Sequence, residues 1–196
     1  MSAADEISFE NRHPTHGADR FFIERWSPRA YSSEPIDEPT LTTLMDAARW
    51  SPSCFNDQPW RFYTSTPQTR DAYLGLLLEG NQVWAATAPV IGFLCAQKRF
   101  SATGEPNGYN AFDAGAAWMA MTMQARLLGL YTHGMGGIDK AAVADYLGID
   151  TDTEEVLMGF TIGRRGDPSQ LPEKVRQNEE PTSRHALETI WTHGKP

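Results

Sequence analysis

A chain of 196 residues, 40% hydrophobic and 21% charged, has ordinary globular composition and is long enough to bury a core without disulfide or metal staples. Its 17 Lys and Arg stand against 25 Asp and Glu, a formal net charge of −8. So acidic a surface repels phosphate backbones and anionic lipid, which argues against nucleic acid or a membrane as the main partner. Two cysteines, Cys54 and Cys95, lack CxxC spacing and read as reduced thiols. Met1 to His16 is polar, and the longest apolar-rich run carries Asp113, Gln124 and Arg126, so neither a secretory leader nor a bilayer span is expected and the expected location is cytoplasmic.

Residues 1–15 show no periodicity and are expected to form a frayed arm, with a single domain over 16–196. A first helix should end near Trp26, because the residue before Pro28 avoids the helical region. Asp37 suits an N-cap and Pro39 a first turn; Leu41, Leu44, Met45 and Ala48 follow at i, i+3, i+4, i+7, one buried helix face. Trp60–Thr64 reads as a short strand. Thr66-Pro67 should open a helix that turns Leu74, Leu77 and Leu78 inward and stops at Gly80. Pro89 to Ala96 is a continuous apolar run of strand length. The longest helix is expected from Asn110 to Leu128, with Ala114, Ala117, Met121, Ala125 and Leu128 on one side and Gly129 breaking it. Tyr131–His133 suggests a strand and Gly134-Met135-Gly136-Gly137 a turn. Asp139 caps a helix that ends at Gly148, and Val156–Ile162 is the last strand. The tail from Arg164 is polar apart from Leu187, Ile190 and Trp191, a patch that a partner subunit could cover. The sum predicts an α+β fold, a small mixed sheet flanked by helices.

Four segments stand out chemically. Arg25-Trp26-Ser27-Pro28-Arg29 places two guanidinium groups around a hydroxyl, a set that could take a terminal phosphate, though these five residues alone favour a solvated turn with surface ion pairs. Ser51-Pro52-Ser53-Cys54-Phe55-Asn56-Asp57-Gln58-Pro59-Trp60 packs amides and hydroxyls beside aromatics. That suits a ligand edge with alternating donors and acceptors, or a loop that satisfies its own backbone. The glycine turn at 134–137 is not GxGxxG; it lets backbone approach a planar ligand or, equally, is a plain tight turn before a capped helix. Arg164, Arg165, Lys174, Arg176 and Arg184 are basic against the overall sign. Histidines and cysteines lack zinc-site spacing, so no metal is expected, and Asp113 reads as a helix cap. Neither a GxSxG elbow nor a P-loop is present.

In this order the segments resemble the nitroreductase family of FMN enzymes. Arg25–Arg29 resembles its N-terminal basic-Ser-x-basic motif. Pro52–Trp60 resembles its P-S-x-x-N-x-Q-P-W loop, Asp113–Leu130 its long helix ending in L-G-L, and Gly136-Gly137 its following glycine turn. Pro181–Arg184 resembles its C-terminal basic segment. The resemblance implies a nitroreductase-like homodimer whose C-terminal extension reaches over the partner subunit. It implies FMN bound between subunits, NADH or NADPH as electron donor, and nitroaromatics, quinones or similar small molecules as acceptors. It implies Arg25, Ser27 and Arg184 at the FMN phosphate with Trp26 between the first two, Arg29 toward the ring, and Pro52, Ser53, Cys54 and Asn56 from the other subunit. Gly136 and Gly137 would lie along the ring and Asn81 at its pyrimidine edge. No catalytic side chain is expected, since the flavin carries the hydride chemistry. One departure is that residues 80–97 contain no basic side chain where the family often has one near Asn81. That keeps open a flavin-binding or flavin-modifying protein of the same fold without nitroreductase turnover.

Overall fold

The computed structural model describes residues 7–12 and 16–194, which divide into two compact units. A central unit runs from Ser27 to Glu179, and a terminal unit joins the chain up to Trp26 with the chain from Glu180 onward.

The terminal unit contains α1 (Arg20–Ile23), started by Asp19, whose carboxylate accepts the Phe21 N–H at 2.8 Å. In the central unit, α2 (Glu38–Arg49) begins at the expected cap: the Asp37 carboxylate accepts the Thr40 N–H at 3.0 Å. β1 (Trp60–Thr64) follows, then α3 (Arg70–Gly75), α4 (Glu79–Ala85) and β2 (Val90–Gln97). Next come α5 (Asn110–Leu127), β3 (Tyr131–Met135), α6 (Lys140–Leu147), β4 (Glu154–Gly163) and the short α7 (Glu173–Arg176). Asp139 caps α6 through the Ala142 N–H, and Gly148 ends it in the left-handed region.

The sheet order is β1-β2-β4-β3, and every pairing is antiparallel. This corrects the expected mixed sheet. Two helices, α3 and α4, lie between β1 and β2 and return the chain so that β2 runs back along β1. β2 is buried on both faces, which is why its sequence shows no alternation. Its residues still divide by the period of two. Ile91, Phe93 and Cys95 enter a core with Tyr73, Trp84 and Val143 on the α3, α4 and α6 side, while Val90, Leu94 and Ala96 enter a second core with Leu44, Ala117 and Met121 on the α2 and α5 side. Truncating Phe93, fully buried in the first core, would cost about 3–5 kcal/mol.

Two local expectations fail for the same reason. The helix expected from Thr66 to Gly80 is split, and Gly80 lies inside α4. Leu77 forms a backbone bridge with Ile138, and the Leu78 N–H donates to the Gly137 carbonyl at 3.0 Å, so tertiary pairing takes the backbone groups that a continuous helix needs. Leu78 is consequently exposed rather than inward. β3 extends through Gly134 and Met135, because both pair with β4.

Candidate functional site

In the terminal unit, residues from both ends of the chain are bonded to one another. Asn11 Nδ2 donates to the Pro181 carbonyl at 2.7 Å. Arg12 donates through Nε to the Thr182 carbonyl at 2.7 Å and through Nη1 to the Ile23 and Arg25 carbonyls, each at 2.8 Å. Asn11 and Arg12 are thus bonded within the terminal unit; 1–6 and 13–15 of the expected arm lie outside the described residues. Three guanidinium groups, those of Arg12, Arg25 and Arg184, share this region. Burial, then the charge of Arg184, lowers the Arg25 pKa; burial, then the charges of Arg184 and Arg25, lowers that of Arg12 to about 10. Among the described residues Arg184 bonds its own neighbours, the Thr182 and Ser183 carbonyls and the Thr182 hydroxyl. A cavity of about 540 Å³ opens here, with Arg12 and Arg184 in its wall beside Phe22, Ile23 and Leu187. Cations that suppress one another's proton affinity are an environment an anion relieves. Trp26, next to Arg25, is buried.

The loop from Ser51 to Pro59 carries a concentration of strain. Phe55, Asn56 and Gln58 have φ of 53°, 56° and 51°, and no other non-glycine among the described residues has positive φ. Left-handed backbone at a bulky residue costs on the order of 1–2 kcal/mol, so the surroundings must hold it. They do: the Gln58 N–H donates to Ser53 Oγ at 3.0 Å, and the Cys54 N–H to Asp113 Oδ2 at 2.9 Å. Asp57 accepts from the Ser101 hydroxyl and N–H and from Asn107, and the Ser101 hydroxyl is the first cause of its lowered pKa. Asp113 is therefore a buried tether from α5 to this loop, not the cap the sequence suggested; a cap satisfies its own helix, whereas this carboxylate reaches 59 residues back. The strain leaves Phe55 90% exposed, with Pro52 and Asn56 also at the surface. The Ser51 hydroxyl at the loop's root is buried without a hydrogen-bond partner among the described residues.

The glycine turn meets Asn81. A Cβ on Gly137 would lie 2.5 Å from Asn81 Nδ2, so the Asn81 amide occupies the space a side chain would need. Asn81 Nδ2 donates to the Gly137 carbonyl at 2.8 Å, and Asn81 Oδ1 accepts the Trp84 indole N–H at 3.2 Å. A Cβ on Gly136 would meet nothing within 4 Å, so that backbone borders open space. His133 on β3 packs its ring on Trp84, centroids 4.5 Å apart, and its Nδ1 lies 3.0 Å from the Pro28 carbonyl. Arg29 is held through its N–H by the Glu179 carboxylate at 2.8 and 3.0 Å.

Helix α5 is apolar on both sides. Ala114, Ala117, Met121 and Ala125 are buried, and Phe112, Met119 and Leu127 stand exposed at helical spacing. Trp50, Phe55 and Tyr109 are exposed as well. Cys95 is buried beside Glu154, and burial pushes its thiol up to about 12, which leaves it inert. Sequence reasoning missed Arg12, hidden in a segment without periodicity, and His133, taken only as a strand residue.

The nitroreductase family model matches residues 23–83 and 78–164. A Streptomyces coelicolor protein, named provisionally as an NADH dehydrogenase/NAD(P)H nitroreductase, is 27% identical over 197 residues, covering 90% of this chain and 95% of its own. A Leptothrix cholodnii protein with the same provisional name is 30% identical over 188 residues, covering 80% and 91%. A crystal structure described as an oxidoreductase containing FMN superposes with a TM-score of 0.89 at 38% identity, covering 94% of this chain and 96% of that one. With the family model spanning most of the chain and these relatives aligned along nearly their whole length, the chain belongs to the nitroreductase family.

Proposed function

We propose that the chain is an FMN-dependent oxidoreductase that takes reducing equivalents from NADH or NADPH and passes them to small electron-poor acceptors such as nitroaromatics or quinones, working as a homodimer. The observation that carries this reading is the guanidinium cluster of Arg12, Arg25 and Arg184, gathered from opposite ends of the chain and suited to a phosphate monoester. The FMN named for the 38%-identical structure and the NAD(P)H named for the curated relatives support it.

The terminal unit offers Arg25 and Arg184 as forked donors to a phosphate, with Arg12 holding the Arg25 and Thr182 backbones in place. The central unit offers ring-side groups. Arg29 supplies positive charge for a ring that becomes electron-rich, and Gly136 an unobstructed stretch of backbone. The strained loop leaves Pro52 and Asn56 at the surface with Ser53 and Cys54 half-buried between them, a stretch that can serve a second subunit's site. Bound FMN supplies two-electron acceptance and donation, which is why no side-chain nucleophile need be assigned.

The test is the visible spectrum of the purified protein, with the heat-released chromophore identified. A yellow protein that yields FMN, is bleached by NADH or NADPH and is reoxidised by a quinone meets the proposal. A colourless protein that refuses added FMN defeats it. A yellow protein that neither nicotinamide bleaches is a flavin carrier without turnover.

A further inference from the structure

We propose that His133 is a positioning residue for the flavin nucleotide: it holds the Ser27–Arg29 segment in register with the Gly136–Gly137 turn through Trp84 and Asn81. This rests on the FMN reading above. The geometry settles the proton positions. A carbonyl only accepts, so the nitrogen 3.0 Å from the Pro28 oxygen, Nδ1, is the protonated one. The indole N–H of Trp84 only donates, so the Asn81 amide turns its oxygen to Trp84 at 3.2 Å and its nitrogen to the Gly137 carbonyl at 2.8 Å. Between them the His133 and Trp84 rings pack with centroids 4.5 Å apart and planes inclined at 37°.

The result is a continuous path: Pro28 carbonyl, His133, Trp84, Asn81, Gly137 carbonyl. Its two ends are backbone groups of segments assigned to the cofactor, and its middle is side chain. Pro28 lies between Ser27 and Arg29, and its ring fixes φ, so a shift of its carbonyl moves both neighbours together. Trp84 is 3% exposed and therefore a fixed stop for the imidazole. A core-filling role at position 133 needs only a flat ring; a positioning role needs the N–H.

Two substitutions separate these roles. His133→Phe keeps the ring packing and removes the donor; His133→Asn keeps an N–H near the Nδ1 position and gives up the ring. The readouts are the FMN dissociation constant of the apoprotein, by quenching of flavin fluorescence, and the visible absorption band of the bound flavin. We expect His133→Phe to weaken FMN by roughly tenfold and shift the band, and His133→Asn to recover most of the affinity. Wild-type affinity in His133→Phe, or an Asn variant as weak as the Phe variant, overturns the proposal. Should His133→Phe not fold, Trp84→Phe keeps a ring against His133 and removes the donor to Asn81. It is expected to weaken FMN by roughly threefold, and an unchanged affinity overturns the relay. A wild-type protein that binds no FMN overturns the functional reading and this proposal with it; wild-type binding with indifferent variants overturns the His133 assignment alone.

Discussion

The Glu179 carboxylate grips the backbone of Arg29: it accepts the Arg29 N–H at 2.8 and 3.0 Å and, through the same Oε1, the Ala30 N–H at 2.9 Å. Ser27 opens the central unit and Glu179 closes it, so this one side chain clasps the unit's two ends together. Both donors lie in a stretch that also pairs with 164–166, through the Tyr31–Arg165 bridge and the Ser32 and Gly166 N–H groups. Glu179→Ala strands two N–H groups and should cost about 2 kcal/mol, read as a lower denaturant midpoint with unchanged slope. A midpoint within error of wild type would show that solvent replaces the clasp without loss.

The guanidinium cluster predicts a specific response to anions and to pH. The lowered Arg12 pKa, about 10 against an ordinary 12.5, means the fold binds that proton less tightly than the unfolded chain does. Charged Arg12 therefore opposes folding at every pH below about 10, and the opposition is relieved as pH rises from there toward 12.5. At pH 7 it is present in full. Inorganic phosphate or sulfate should then raise the Tm of the apoprotein more than chloride at equal ionic strength. In Arg184→Ala the increment should shrink, and the apoprotein itself should melt no lower than wild type. Equal responses to sulfate and chloride would mean ordinary screening rather than a site.

Much of this arrangement is visible in the sequence, and the parts that are not share a cause. Asp37, Asp139 and Gly148 were legible as helix ends because capping is local chemistry. β2 was legible because burial on both faces leaves an unbroken apolar run. The Pro52–Trp60 motif marks its loop, though not why the loop is strained; that needs Asp113, 59 residues away, and Ser101. The split between α3 and α4 depends on Ile138 and Gly137, and the role of Arg12 on carbonyls at 23, 25 and 182. Contacts across such distances leave no periodicity to read.

The paired glycines of the turn make opposite predictions. Gly137→Ala drives a methyl group against Asn81 Nδ2, so Asn81 must leave the Gly137 carbonyl or the turn must shift. A loss of about 1–3 kcal/mol in unfolding free energy is expected. Gly136→Ala meets open space and should change stability by less than about 0.5 kcal/mol. If its backbone lies against the flavin, the same methyl group weakens FMN. A Gly136→Ala protein that is stable and binds FMN normally would remove Gly136 from the site while leaving Gly137 with its structural role.

The outer face of α5 carries the homodimer prediction. A helix that covers a sheet ordinarily turns polar side chains to water, yet this one presents Phe112, 78% exposed, Met119 and Leu127. Burying such a stripe against a second copy removes apolar area at roughly 25 cal/mol per Å². It also accounts for a strained loop that holds Phe55 away from its own core. The double substitution Phe112→Glu, Met119→Glu alters only exposed positions, so each subunit should fold with its secondary structure intact. Two charges on the stripe should halve the sedimenting mass. If Pro52, Ser53, Cys54 and Asn56 serve the other subunit's cofactor, FMN should be lost with the dimer rather than with the fold. A variant that remains dimeric and fully yellow would place the subunit contact on another surface, and the exposed tail residues Ile190 and Trp191 would then be the next to test.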